Sequence, residues 1–84
     1  MAKAGAIVLI QTDIGAESRV MEELVKVPEI TEAYIVYGIY DIIVKIEAES
    51  LEKIREVITN RIRKLPDIRT TSTMVIVEER IKKQ

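Results

Sequence analysis

Residues 26–30 read Lys-Val-Pro-Glu-Ile, and residues 64–68 repeat the pattern as Lys-Leu-Pro-Asp-Ile. Each copy stands where a helical pattern of apolar residues gives way to the alternating pattern of a strand. Because proline cannot continue a helix, each copy predicts a helix that ends there and leads into a strand. The repeat indicates that the chain is built from two similar halves.

The first half contains one strand, one helix and the start of a hairpin. Residues 3–12 are apolar on both faces, which predicts a strand covered on both sides. Apolar residues at 16, 20, 21, 24 and 27 have the spacing of an amphipathic helix ended by Pro28. Residues 31–37 and 41–48 alternate between apolar and other side chains, so they predict a hairpin with a tight turn at Gly38.

The second half repeats the helix and the strand. Ser50 is suited to accept a hydrogen bond from the first amides of a helix, and Glu52 complements the helix dipole. The buried stripe of this helix is predicted to contain Leu51, Ile54, Ile58, Ile62 and Leu65. Residues 71–78 predict the last strand, and residues 79–84 form a charged tail expected to be mobile or briefly helical.

The predicted order is therefore βαββαβ. Right-handed crossovers place both helices on one face of a four-stranded antiparallel sheet, which is the α+β ferredoxin-like plait. The 84 residues suit one domain, because a core of this size cannot be divided further.

The sheet face without helices is the most informative surface. Strand alternation separates Val8, Ile35, Ile42 and Val44 from a second set, and the sequence leaves open which set faces the helices. The second set contains Ile7, Leu9, Tyr34, Val36, Ile43, Met74 and Ile76. Either choice leaves a largely apolar face broken only by Lys45 and Glu47, so we expect a homodimer that stacks its sheets as a dimeric α+β barrel.

Composition excludes several classes of function. Thirteen basic and fourteen acidic residues leave a net charge of −1, which provides no field for nucleic acid or for a membrane surface. Without cysteine or histidine there are no thiolates, imidazole bases or usual soft metal ligands, so we expect no catalysis, no metal and no cofactor. The apolar run at 6–10 is too short to span a membrane and no secretory cleavage pattern follows it, which favours a cytoplasmic protein.

Three segments in order carry a resemblance to a known family: Gly38-Ile39-Tyr40-Asp41, then Leu65-Pro66-Asp67-Ile68, then the strand at 71–77. Over essentially its whole length the chain resembles the effector-binding, or RAM, domain of Lrp/AsnC transcriptional regulators. Full-length members carry an N-terminal helix-turn-helix. Met1 falls just before the first predicted strand, so the resemblance implies a module without direct DNA binding.

In that family such domains dimerise through their sheets, often assemble into octameric rings and bind an amino acid in clefts between dimers. The resemblance implies that Gly38, Tyr40, Asp41, Thr71 and Thr73 bind the ligand, and that full-length Lrp/AsnC regulators are candidate partners. The chemistry is suitable, because a carboxylate can bind an ammonium group while hydroxyls and open amides bind a carboxylate.

Other interpretations of the same residues stay open. Gly38 can serve only to permit positive φ in a turn, Asp41 can cap that turn, and threonine is an ordinary strand residue. One alternative function is a small dimeric α+β-barrel enzyme of the isomerase or cofactor-free oxygenase type, with Asp41, Lys45, Glu47 and the tyrosines as its titratable groups. Another is an ACT-like amino-acid-binding module, which would pair edge strands instead of stacking sheet faces.

Overall fold

The computed structural model describes residues 3–82 and has the predicted order of elements. The strands are β1 (Ala4–Thr12), β2 (Ile30–Ile35), β3 (Ile42–Ala48) and β4 (Ile68–Val75). The helices are α1 (Glu17–Leu24) and α2 (Leu51–Val57), and α2 continues into a π-helical turn (Ile58–Ile62). Among the described residues, no helix is both long and apolar enough to cross a bilayer.

The strands form one antiparallel sheet in the order β2-β3-β1-β4. The ferredoxin-like plait is therefore confirmed. The two proline repeats have the predicted role, because β2 begins at Ile30 and β4 at Ile68, the last residue of each repeat.

The last strand lies earlier in the chain than predicted. It was expected at 71–78, but β4 begins at Ile68 and ends at Val75, after which Ile76 N–H still donates to the Gly5 carbonyl at 2.9 Å. Residues 76–82 form neither helix nor strand. Residues 83 and 84 of the predicted tail lie outside the described residues.

Helix α2 begins at the predicted cap, since Lys53 N–H donates to the Ser50 hydroxyl at 3.1 Å. Ile54, Ile58 and Ile62 are buried, as the apolar stripe requires. Leu51 was wrongly assigned to the buried stripe and is 48% exposed. It lies at the rim of the groove between α2 and β4, where no further strand of the subunit covers it.

The core lies between the sheet and the helices. Alternate residues of the two central strands are fully buried there: Ala6, Val8 and Ile10 on β1, and Ile42, Val44 and Ile46 on β3. Val20 and Leu24 of α1 pack in the same cluster with Ile54 of α2 and Ile62 of the π-helical turn. The set containing Val8 therefore faces the helices, and the set containing Ile7 forms the helix-free face.

Candidate ligand-binding site and self-association face

The connection between β2 and β3 is wider than the predicted tight turn. Val36 N–H donates to the Asp41 carbonyl at 2.9 Å, which leaves residues 37–40 outside the ladder. Gly38 does not have positive φ, so the turn geometry expected for it is wrong. We call residues 36–41 the β2–β3 loop.

Asp41 anchors one end of this loop to β1. Its N–H donates to the Ile10 carbonyl at 2.9 Å, and its Oδ2 accepts a hydrogen bond from Thr12 N–H at 2.8 Å. Gln11 adds a second tie by donating from Nε2 to the Ile39 carbonyl at 3.0 Å. These contacts hold the Asp41 side of the loop against β1, and the side chains of Tyr37 and Ile39 are exposed.

The loop and the start of α1 enclose an acidic concavity of about 520 Å³. Its lining contains the carboxylates of Glu17 and Asp41 and no basic residue. The remaining lining residues are Ser18, Ile35, Val36, Tyr37 and Gly38. Tyr40 is half-buried but does not line this concavity. We call this surface the acidic corner.

The predicted threonines lie in a different place. Thr71 and Thr73 on β4 pair with Ile10 and Val8, so their side chains lie on the same sheet face as the helices. Thr71 lines a polar concavity of about 400 Å³ with Arg63 and Arg69. Thr73 lines a separate groove between α2 and β4. Neither concavity shares a lining residue with the acidic corner.

Four charged residues at these surfaces were missed by sequence reasoning. They are Glu17 in the acidic corner, and Arg55, Arg63 and Arg69 beside the threonines. The spacing of Arg55 and Arg63, two turns apart on one helix, was an available signal. The sequence could not reveal that β4 would run beside them.

The helix-free face contains apolar residues together with a charged residue that is paired within the subunit. Tyr34 is 52% exposed and Met74 is 49% exposed, while Ile7, Leu9 and Ile43 between them are half-buried. Lys45, which was predicted to interrupt the apolar face, is only 8% exposed. Its Nζ forms ion pairs with Glu79 and, at 3.4 Å, with Glu47. The hydrogen bond that Lys45 Nζ donates to the Glu79 carboxylate raises the pKa of Lys45, although burial acts in the opposite direction.

A second polar contact lies beside this pair. The Tyr34 hydroxyl donates to Glu32 at 3.1 Å, and this hydrogen bond to a carboxylate raises the pKa of Tyr34. Ser72 also lies on this face, because it pairs with Leu9. The face therefore has an apolar centre with polar residues around it, as protein interfaces do.

These features define a ferredoxin-like α+β domain with one uncovered, largely apolar sheet face. The family model for the Lrp/AsnC ligand binding domain matches residues 5–84. The chain therefore belongs to the Lrp/AsnC family, and it is a regulatory effector module of the ligand-binding type.

Named relatives agree with this assignment. The HTH-type transcriptional regulator FL11 of Pyrococcus horikoshii is 33% identical over 73 residues, which cover 87% of this chain and 48% of the relative. Regulatory protein AsnC of Escherichia coli is 30% identical over 61 residues, which cover 73% of this chain and 40% of the relative. The chain thus spans about half the length of the curated relatives it matches.

The solved structures that match include one chain that is covered almost completely and one that is covered over about half of its length. FFRP-DM1 is 47% identical with a TM-score of 0.84, and the match covers 88% of this chain and 99% of that one. The Escherichia coli AsnC structure has a TM-score of 0.89 at 24% identity, and the match covers 96% of this chain and 55% of that one.

Proposed function

We propose that this module binds a second copy through its helix-free face and senses an amino acid through the β2–β3 loop and β4. The observation that carries the first part is the apolar centre of an otherwise solvated sheet face. Soluble monomers rarely leave such a patch uncovered. A standard interface of about 800 Å² per partner would cover it.

The ligand contacts proposed are Gly38, Tyr40 and Asp41 from the loop and Thr71 and Thr73 from β4. The carboxylate of Asp41 is partly exposed at the end of the loop, which suits an ammonium group. The threonines lie beside arginines, which suits a carboxylate. Since the two groups share no concavity within one subunit, we infer that the ligand binds where two copies meet.

Such a site couples ligand binding to assembly. A ligand that contacts two copies binds the assembled state more tightly, so it shifts the population toward larger species. Rings of dimers, up to octamers, are the assemblies this predicts. Co-assembly with full-length Lrp/AsnC regulators through the same face would transmit the ligand signal to them.

The dimer is tested by placing a charge at the centre of the helix-free face. Leu9→Lys should convert the dimer to a folded monomer, because the ammonium group would be buried against the partner without a counter-ion. The matched control is Ile14→Lys, since Ile14 is exposed in the turn after β1. Sedimentation of both variants gives the mass. A Leu9→Lys protein that stays dimeric would contradict the proposed interface.

The ligand site is tested by a thermal-shift screen of the twenty amino acids, followed by two variants of Asp41. Binding at about 100 times Kd should stabilise the protein by about 2.7 kcal/mol. Asp41→Asn keeps an acceptor for Thr12 N–H but removes the charge, whereas Asp41→Ala removes both. Loss of binding in Asp41→Asn without loss of stability supports the ammonium contact. Unchanged binding in Asp41→Asn would contradict the proposed contact between Asp41 and the ammonium group.

A further inference from the structure

A lysine stands in the middle of the helix-free face. Lys45 belongs to the central strand β3, where it pairs with Ile7 of β1 on one side and with Glu32 of β2 on the other. Two residues before it on the same face is Ile43, which belongs to the apolar centre. A free ammonium group at this place would oppose the burial of the face by a second copy, for the same reason that Leu9→Lys is expected to do so.

The segment after β4 supplies a counter-ion for this lysine. We call residues 76–82 the C-terminal strap. Its first residue, Ile76, donates its N–H to the Gly5 carbonyl at 2.9 Å. The strap then crosses β1 on the helix-free side, where the Glu79 carboxylate accepts a hydrogen bond from Lys45 Nζ. Beneath this contact Lys45 is only 8% exposed, so the strap both pairs its charge and shields it from water.

The strap is held mainly at two points. At the first, Ile76 lies so close to β1 that a Cβ on Gly5 would be 3.3 Å from its Cδ1 atom. At the second, the carboxylate of Glu79 contacts the sheet, although its side chain remains 40% exposed. The apolar side chains of Val77 and Ile81 are mostly exposed. Because so little of the strap is buried, its Glu79 end can detach without disturbing the strand pairing.

We propose that the C-terminal strap controls self-association of the module through the contact between Lys45 and Glu79. While the strap is closed, the ammonium group is paired and a second copy can cover the face. When the strap opens, water must replace the Glu79 carboxylate, and a covering sheet would exclude that water. The control rests on the proposed dimer, and it places the affinity of that dimer under a segment that lies outside the sheet.

The other carboxylates beside Lys45 cannot replace Glu79. Glu47 is on the same strand, and its carboxylate is 3.4 Å from Lys45 Nζ, which is longer than an ordinary hydrogen bond. Glu32 is on the neighbouring strand, and its carboxylate already accepts a hydrogen bond from the Tyr34 hydroxyl at 3.1 Å. An open strap therefore leaves the ammonium group with only the weaker of its two ion pairs.

The control is tested by sedimentation of the full chain over a range of concentrations. Glu79→Gln should raise the Kd of the dimer by about tenfold or more, because hydrogen bonds to charged groups are strong and each dimer contains two of these contacts. Glu78→Gln is the matched control, since Glu78 pairs with the exposed Arg80. An unchanged Kd for Glu79→Gln would overturn the proposal. A lower Kd would also overturn it, because the strap would then be a lid that blocks the face.

A substitution at Lys45 separates the effect of charge from that of packing. Lys45→Met keeps a long side chain but removes the ammonium group, so this variant should dimerise at least as tightly as the unmodified protein. In the Lys45→Met background, Glu79→Gln should leave the Kd unchanged, because no charge remains for the carboxylate to pair. If Glu79→Gln weakens the dimer equally in both backgrounds, Glu79 acts by packing and the proposed control by charge is wrong.

The position of the strap is tested separately, by acetylating amines with acetic anhydride and measuring each lysine by mass spectrometry. In dilute protein Glu79→Gln should make Lys45 react several-fold faster, while the exposed Lys26 reacts at an unchanged rate. Equal rates at Lys45 would show that the strap does not shield it and would overturn the proposal. A dimer whose Kd ignores Glu79→Gln overturns the control alone, whereas a monomer under all conditions refutes the proposed dimer and the control with it.

Discussion

The two faces of the sheet are built from the same strands but differ in how they are covered. On β3, Ile42 and Val44 are fully buried beneath the helices, while Ile43 between them is only half-buried. On β1, Val8 and Ile7 differ in the same way. Neighbouring residues of similar hydrophobicity therefore have different surroundings solely because of the side to which they point.

This difference indicates what the apolar residues of each face stabilise. Burial under the helices contributes to the folding of one subunit, whereas the half-exposed residues gain their remaining burial only when another surface covers them. The helix-free face also includes Lys45, whose charge is compensated by Glu47 and Glu79. The charge of Lys45 is thus paired within one subunit, although its side chain is almost fully buried.

The largest change in stability is expected when one side chain on each face of the sheet is truncated to alanine. Ile46→Ala should destabilise the protein by about 2–5 kcal/mol at every protein concentration, because it leaves a cavity in the core. Ile43→Ala should cost less in dilute protein, and its cost should grow with concentration as the second copy binds. Urea unfolding at several concentrations measures both. If both variants lose the same stability at every protein concentration, the two faces do not differ in what they stabilise.

A smaller effect is expected at the helix that covers one face. Ser50→Ala removes the acceptor for Lys53 N–H and should cost about 1 kcal/mol of unfolding free energy. Ser18→Ala is the matched control, because Ser18 is an exposed residue of α1 and its side chain forms no hydrogen bond within the described residues. If both variants lose the same stability in urea unfolding, the cap does not contribute as the geometry indicates.

Much of this comparison could be predicted from the sequence, because it depends on local patterns. Alternation at Ile7 and Val8 separated the two faces, Ser50 gave the start of α2, and the two proline repeats gave the starts of β2 and β4. These signals act over a few residues. They could not decide which face the helices cover, since that depends on how the whole chain packs.

The features that escaped prediction join distant parts of the chain. Asp41 is fixed by Thr12, which is 29 residues away, so the β2–β3 loop could not be derived from the residues around Gly38 alone. Lys45 and Glu79 are 34 residues apart, and their contact requires the segment after β4 to cross β1. That crossing occurs beside Gly5, where a Cβ would lie 3.3 Å from the side chain of Ile76. The ligand residues likewise fall into two clusters that only the fold reveals.

The smallest effect should come from the charge on the helix-free face. The hydrogen bond that Lys45 donates to the Glu79 carboxylate raises the pKa of Lys45 above its usual 10.5. The contribution of this contact to stability is therefore complete below pH 10.5 and is lost as pH rises through the higher folded pKa. Glu79→Gln should therefore lower stability slightly near pH 8, and the difference should shrink near pH 11. Glu78→Gln, which affects the exposed pair with Arg80, is the control. If the Glu79→Gln difference persists unchanged at high pH, Glu79 stabilises the protein by packing and not by pairing with the charge of Lys45.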